Sequence, residues 1–189
     1  MKIYTRTGDA GETGLFDGTR VSKSDARVAT YGDVDEVNAW LGFARSRIAD
    51  QPEVSEMLIQ IQRDLLALGA RLADPRKKIA ERITKVEIGA DAIARLEKWI
   101  DTLDSMLPPL RRFILAGGSE AGSALHVART VCRRAERAMV ALQAQSPVAQ
   151  DNGAALEPDL IVYVNRLSDL LFVMARFVNF RLNATEIEW

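Results

Sequence analysis

Arg129, Arg133 and Arg137 recur every fourth residue in the segment LHVARTVCRRAER (125–137). On a helix of about 3.6 residues per turn they share one stripe with His126, about 12 Å long, comparable with an extended triphosphate. Guanidinium forks suit phosphate oxygens, so this stripe is a candidate polyanion surface. Leu125, Cys132, Ala135, Met139 and Leu142 form a second, apolar stripe, which keeps the basic face apart from the core face. Directly upstream, FILAGGS (113–119) sets Phe113 on an apolar loop, an arrangement that suits a large planar ligand beside a polyanion. The competing reading of the arginines is a solvated face paired to Glu136 or to an acid on another helix. A lone His126 is more readily a hydrogen-bonding support than a general base.

Two further segments carry candidate chemistry. In TRTGDAGETGL (5–15), Gly8, Gly11 and Gly14 permit unusual backbone angles and expose amides, and Thr5, Thr7 and Thr13 add hydroxyls, so phosphate is an obvious guest. The segment lacks the Gly-Lys-Ser/Thr of a Walker A loop and the strand and helix of a dinucleotide fingerprint, and taken alone it reads equally as an ordinary flexible N-terminus. In YGDVDEVNAW (31–40), Asp35 and Asn38 fall on one side of a helix, where Asp35 could orient an arginine or be a capping or exposed acid among several. Lys23 and Arg27, just before it, could extend a phosphate-binding rim or simply be solvated.

The elements that must position these groups are helical. From about Ser24 apolar residues recur at helical spacing almost to the end. The spacing predicts helices over 24–48, from Pro52 to the stop at Asp74-Pro75, over a third segment ended by Pro108-Pro109, from Ser119 as N-cap to about Gln143, and over 159–183. Buried faces are expected at Leu58, Ile61, Leu65, Leu68 and Leu72, then at Ile93, Leu96, Ile100 and Leu103. In the last helix the expected seam is Leu160, Val164, Leu167, Leu171, Met174 and Val178. The fold class is therefore all-α, a five-helix bundle after an irregular glycine-rich N-terminal segment, with residues 1–189 as a single domain. Asn165, Ser168, Asp169 and Arg176 give the last helix more polar groups than a simple solvated face needs, so some should face a partner or ligand. Residues 76–87 read as a mobile, basic connection.

Composition narrows the function classes. Lysine plus arginine total 25 against 26 acids, a formal net charge of −1, which gives no general drive toward nucleic acid or an anionic membrane. No apolar run reaches the length of about 20 residues that a membrane span needs. Cys132 is expected as a buried neutral thiol, in keeping with a reducing cytoplasm. One histidine and one cysteine do not make a soft-ligand metal centre, so a redox-active metal would arrive inside a cofactor.

Taken together, TRTGDAGETGL, Lys23 with Arg27 and YGDVDE, FILAGGS with LHVARTVCRRAER, and YVNRLSDLLFVMAR (163–176) resemble the PduO-type ATP:cob(I)alamin adenosyltransferases over nearly the whole chain. The resemblance implies a five-helix bundle assembled as a homotrimer with active sites between subunits. It implies transfer of the 5′-deoxyadenosyl group of ATP to the cobalt of reduced cobalamin, with triphosphate leaving and Mg²⁺ arriving with the nucleotide. A cytoplasmic location, a reductase and an adenosylcobalamin-dependent acceptor enzyme belong to the same picture. Motif matching implicates Thr5, Arg6, Thr7, Gly8, Thr13, Gly14, Lys23, Arg133, Arg134, Glu136, Arg137 and Asn165 in holding ATP. It pairs Asp35 with Arg129 across or beside the subunit boundary and sets Phe113 on the corrin face from which the lower axial ligand departs. Ala116 stands where the family usually has proline, which predicts a less rigid loop. The alternative functional class is an ATP-binding regulatory helical bundle without corrin chemistry; a purely structural helical oligomer is the third reading.

Overall fold

The computed structural model describes residues 2–48, 51–76, 87–145 and 156–189. A short antiparallel hairpin, β1 (Glu12–Gly14) and β2 (Arg20–Ser22), precedes α1 (Ala26–Ser46), α2 (Pro52–Leu72), α3 (Ala90–Asp104), α4 (Glu120–Gln145) and α5 (Pro158–Arg181). Five helices agree with the expected bundle. The N-terminal segment is more regular than expected, because Thr13 pairs with Val21 and Gly14 with Arg20 across the hairpin.

Local chemistry sets the helix starts. The Asp25 carboxylate caps α1 by accepting from Arg27 N at 2.8 Å. Pro52 and Pro158 open α2 and α5 where a missing N–H costs nothing. Ser119 caps α4 as expected, its Oγ accepting from Gly122 N at 3.0 Å. The third helix ends at Asp104, before Pro108-Pro109, and an irregular segment of 105–119 intervenes before α4.

α4 packs against α1 and α5, α2 against α1, and α3 against α5. α5 is buried nearly all round, and the whole expected seam from Leu160 to Val178 lies in the core. The five leucine and isoleucine positions expected of α2 are buried too. On α3, Leu96 and Leu103 are buried while Ile93 and Ile100 pack half-buried against the core. A buried polar cluster crosses three helices: the Asp64 carboxylate accepts from Arg95 at 2.6 Å, Tyr163 Oη at 2.7 Å and Gln60 at 2.9 Å. Cys132 lies in the core, its Sγ within 3.4 Å of the Val164 carbonyl, and burial pushes its thiol pKa up, so it stays protonated.

The polar groups of α5 divide. Asn165 and Asp169 are exposed, so they are the two that can face a partner or ligand, whereas Ser168 and Arg176 are buried and bonded internally. Among the described residues no helix is long and apolar enough to cross a membrane. Of the expected connection at 76–87, residues 77–86 lie outside the described residues.

Candidate active site

The basic stripe of α4 runs from the interior to the surface. His126 is 3% exposed and its ring lies 6.1 Å from that of Phe172, tilted by 57°. Neither ring nitrogen has a hydrogen-bond partner among the described residues, so the expected hydrogen-bonding support is not formed there. Burial, reinforced by the neighbouring Arg129 charge, lowers its pKa from 6.5 to about 4, which leaves it neutral at physiological pH. One turn on, the half-buried Arg129 guanidinium sits 5.9 Å from the Phe172 ring centroid, and its Nε has no partner among the described residues.

Beyond Arg129 the helix meets solvent. Arg133 and Arg137 are exposed and form no ion pair among the described residues, so two guanidinium forks stand uncommitted on one face. Arg134 points differently: it donates to Asp33 at 3.0 Å and also to Glu36, both on α1. Those acids, Asp33 first, raise its pKa. Glu136 is occupied as well, accepting from Asn165 Nδ2 at 2.8 Å, which ties α4 to α5 beside the exposed arginines.

The N-terminal segment makes a compact polar surface. Thr5 and Thr7 hydroxyls lie 2.8 Å apart, and Arg20 donates to the Thr7 carbonyl at 2.7 Å. Arg6 takes a left-handed φ of 61° and its guanidinium sits 5.6 Å from the Tyr4 ring. Lys23 closes the turn through its backbone, donating to Gly11 O at 2.8 Å, while its ammonium lies over Gly8, where a Cβ would come within 3.4 Å of Nζ. Thr5, Thr7, Gly8 and Lys23 are thus brought together, with Thr13 and Gly14 following on β1. Arg27 is a correction: its guanidinium is buried and donates to the Leu72 carbonyl at 2.9 Å, so it braces α1 against α2 and does not form a rim.

Asp35 lies elsewhere within the chain. It is exposed on α1 beside Asn38 and lines an open, mostly apolar groove of about 720 Å³ between α1 and α2, with Phe16, Tyr31 and Leu66. No ion pair within the chain joins Asp35 to Arg129, and the Asn38 Oδ1 is buried without a partner among the described residues.

Phe113 is 78% exposed at the tip of the segment between α3 and α4. Sequence reasoning missed what holds it. The C-terminal tail, for which the motifs offered nothing, pairs with this segment: Leu115 N donates to Ile187 O at 2.8 Å and Trp189 N to Phe113 O at 2.9 Å. The buried Asn179 on α5 donates to Gly117 O at 2.9 Å and accepts from Ser119 N at 2.9 Å. The available signals were an asparagine inside the apolar run FVNF and the small residues Gly118 and Gly122 that it touches.

The chain is thus a helical bundle that presents uncommitted guanidiniums, a glycine-threonine loop and an exposed aromatic tip, groups suited to phosphate and to an apolar ligand. Residues 3–178 match the family model for cobalamin adenosyltransferase, and the chain belongs to that family. It is 43% identical over 189 residues to the cobalamin adenosyltransferase of Cupriavidus metallidurans, covering 100% of this chain and 94% of that one. The corrinoid adenosyltransferase of Mycobacterium tuberculosis is 44% identical over 178 residues, covering 94% of this chain and 89% of its own. Among solved structures, a phenylalanine-to-alanine variant of a PduO-type ATP:corrinoid adenosyltransferase from Lactobacillus reuteri, complexed with cobalamin and ATP, superposes with a TM-score of 0.86. The two chains are 37% identical, with 100% of this chain and 99% of that one covered.

Proposed function

We infer that this protein transfers the 5′-deoxyadenosyl group of ATP to the cobalt of cob(I)alamin, forming adenosylcobalamin and releasing triphosphate. The observation that carries the reading is the presence on one chain of uncommitted Arg133 and Arg137 and of an exposed Phe113 whose backbone is held on both sides. In the reaction the cobalt electron pair forms the bond to the ribose 5′ carbon as the bond from that carbon to the triphosphate oxygen breaks. No proton is transferred, so no general base is needed. The protein has two tasks: to hold the 5′ carbon in line with cobalt and to neutralise the departing triphosphate.

Thr5, Arg6, Thr7, Gly8, Thr13, Gly14 and Lys23 are assigned to the nucleotide together with Arg133 and Arg137. Arg134, Glu136 and Asn165 complete that assignment, and their bonds to α1 and to each other suit them to hold the arginine face in place. Mg²⁺ comes with the nucleotide, bound to its phosphates. Phe113 is assigned to the lower corrin face, where an apolar side chain displaces the axial base. Four-coordinate Co(II) is easier to reduce to Co(I). An ATP-binding regulator would have no use for an exposed aromatic held in this way.

The quaternary reading is a homotrimer. Asp35 without a partner among the described residues, the apolar groove beside it and an unsatisfied Arg129 Nε support a site shared between copies, in which Asp35 of one subunit meets Arg129 of the next. The shared apolar core supports residues 1–189 as one domain, and a cytoplasmic location, with a reductase and an acceptor enzyme as partners, fits this chemistry.

The test is spectroscopy of cobalamin mixed with the protein and MgATP. Wild type is expected to form the carbon–cobalt bond. Phe113→Ala is expected to keep ATP affinity while losing about tenfold to a hundredfold in turnover from cob(II)alamin with a reductant, the scale of a misplaced reacting group. Absence of a carbon–cobalt product with wild type sinks the transferase reading, and wild-type turnover by Phe113→Ala sinks the role of that residue.

A further inference from the structure

An exposed benzyl group can act at one spot on a ligand only if its backbone is fixed, because its own side chain packs on little. Phe113 lies in a segment, 105–119, that has no helix of its own. We propose that Arg176 and Asn179, one turn apart on a single face of α5, are positioning residues that aim Phe113 by holding the two ends of this segment while the tail holds its middle. This rests on the adenosyltransferase reading above.

Arg176 anchors the start. Its side chain is 5% exposed; it donates to Pro108 O at 3.0 Å and to Glu186 Oε2 at 3.3 Å, with Asp104 at 4.0 Å. One guanidinium therefore joins the end of α3, the proline pair and the tail. A planar fork reaches three such acceptors where an ammonium cannot. Asn179 anchors the end, bonding the Gly117 carbonyl, the Ser119 amide and, at 2.8 Å, the Ser119 hydroxyl that also caps α4. The fit is close: a Cβ at Gly118 would come within 2.3 Å of Asn179 Nδ2, and one at Gly122 within 2.0 Å of its Oδ1. Between these anchors the acceptor of the Trp189 amide is the carbonyl of Phe113 itself, so the tail that Arg176 holds through Glu186 grips the working residue directly. The restraint that Ala116 does not supply is thus supplied from α5 and the tail.

A merely structural role would lower every activity in proportion to the folded fraction. A positioning role predicts selective loss of the step that needs Phe113. The test compares Arg176→Lys, Asn179→Asp and Trp189→Pro with Trp189→Ala, which keeps the amide donor. Each full-length variant is assayed with cob(II)alamin plus a one-electron reductant and with chemically pre-reduced cob(I)alamin; ATP binding is measured by calorimetry and four-coordinate Co(II) by its absorption and magnetic circular dichroism.

The first three variants are expected to lose about tenfold or more in kcat from cob(II)alamin and to show a weaker four-coordinate signal, since a displacement of about 1 Å can cost that much. They should bind ATP as wild type does and use pre-reduced cob(I)alamin at close to its rate. Trp189→Ala should resemble wild type in all readouts. An unchanged four-coordinate signal, or equal losses with both cobalt states, would overturn the proposal while leaving the transferase reading intact. Failure of wild type to alkylate pre-reduced cob(I)alamin would instead overturn that reading.

Discussion

The two loops assigned to the site are held in opposite ways. Residues 5–23 fold mostly on themselves, through Gly11 N to Gly8 O at 3.2 Å, Lys23 N to Gly11 O and the short hairpin; their ties to the bundle include Phe16 N to Ala73 O at 2.9 Å. Residues 105–119 make few bonds among themselves and many to buried side chains of α5 and to the tail. The difference follows from the ligand each is suited to meet. A triphosphate offers many strong acceptors and can itself order a polar loop, so threonines, glycines and a lysine suffice. An apolar contact has no directionality, so the protein must supply the geometry beforehand.

If that contrast is right, charge removal at the nucleotide face should have the largest effect. Arg133→Ala takes away an exposed, unpaired guanidinium and leaves the fold unperturbed. Steady-state kinetics are expected to show a loss of about 10²–10³ in kcat/KM for ATP, the usual consequence of deleting one group that stabilises developing charge. A thermal midpoint within a degree or two of wild type would accompany it. A variant with wild-type kcat/KM would place the triphosphate elsewhere and remove the basis of the contrast.

Glycine substitutions sharpen the comparison at the next scale. Gly11 has φ +84° and open space around its missing Cβ, whereas Gly118 has φ +104° and Asn179 where the Cβ would go. Gly11→Ala is expected to cost about 1–2 kcal/mol, backbone strain alone. Gly118→Ala should cost about 2–4 kcal/mol, since overpacking adds to the strain, and should reduce turnover from cob(II)alamin more than ATP binding. Urea unfolding and calorimetry measure both. Equal costs at the two sites would mean that the Phe113 segment is as compliant as the N-terminal one.

Much of this was legible in the sequence because helical periodicity records burial directly. The stripes of α2, α4 and α5 and the Ser119 cap could be read residue by residue, and the four motifs identified the family. The hairpin was not legible, since three-residue strands are too short to show an alternation. Arg27 and Arg176 were not legible for a common reason: each is a polar residue at a helical position whose acceptor, the Leu72 or the Pro108 carbonyl, only the tertiary fold brings near, whereas Ser168 returns its hydroxyl to the Asn165 carbonyl of its own helix. The tail lies far from the Phe113 segment in sequence, and backbone pairing across that distance leaves no mark on side-chain pattern. Arg134 also needed the fold, because the acids that hold it are on α1.

The smallest expected effect probes where the basic face is rooted. His126 lies beneath Arg129 on α4, buried against Phe172, with a pKa lowered to about 4 from an unfolded value near 6.5. The unfolded chain therefore binds the proton more tightly than the folded one. Stability from keeping this ring neutral is fully present above pH 6.5, falls as the pH drops, and is lost by about pH 4. The decline should amount to about 1–3 kcal/mol, since each tenfold difference in proton affinity is worth about 1.4 kcal/mol and the surroundings relax partly around the charged ring. Carboxylates also titrate toward the lower end of that window, so the informative quantity is a difference: ΔG of unfolding for wild type minus that for His126→Leu, followed from about pH 7.5 to about pH 4. A falling difference means that one more cation beneath Arg129 is intolerable to the folded helix, and hence that the positive face is built on a neutral, apolar floor. A flat difference would mean that the ring finds a partner or solvent once charged, and that the arginine stripe is as adaptable at its root as the N-terminal loop.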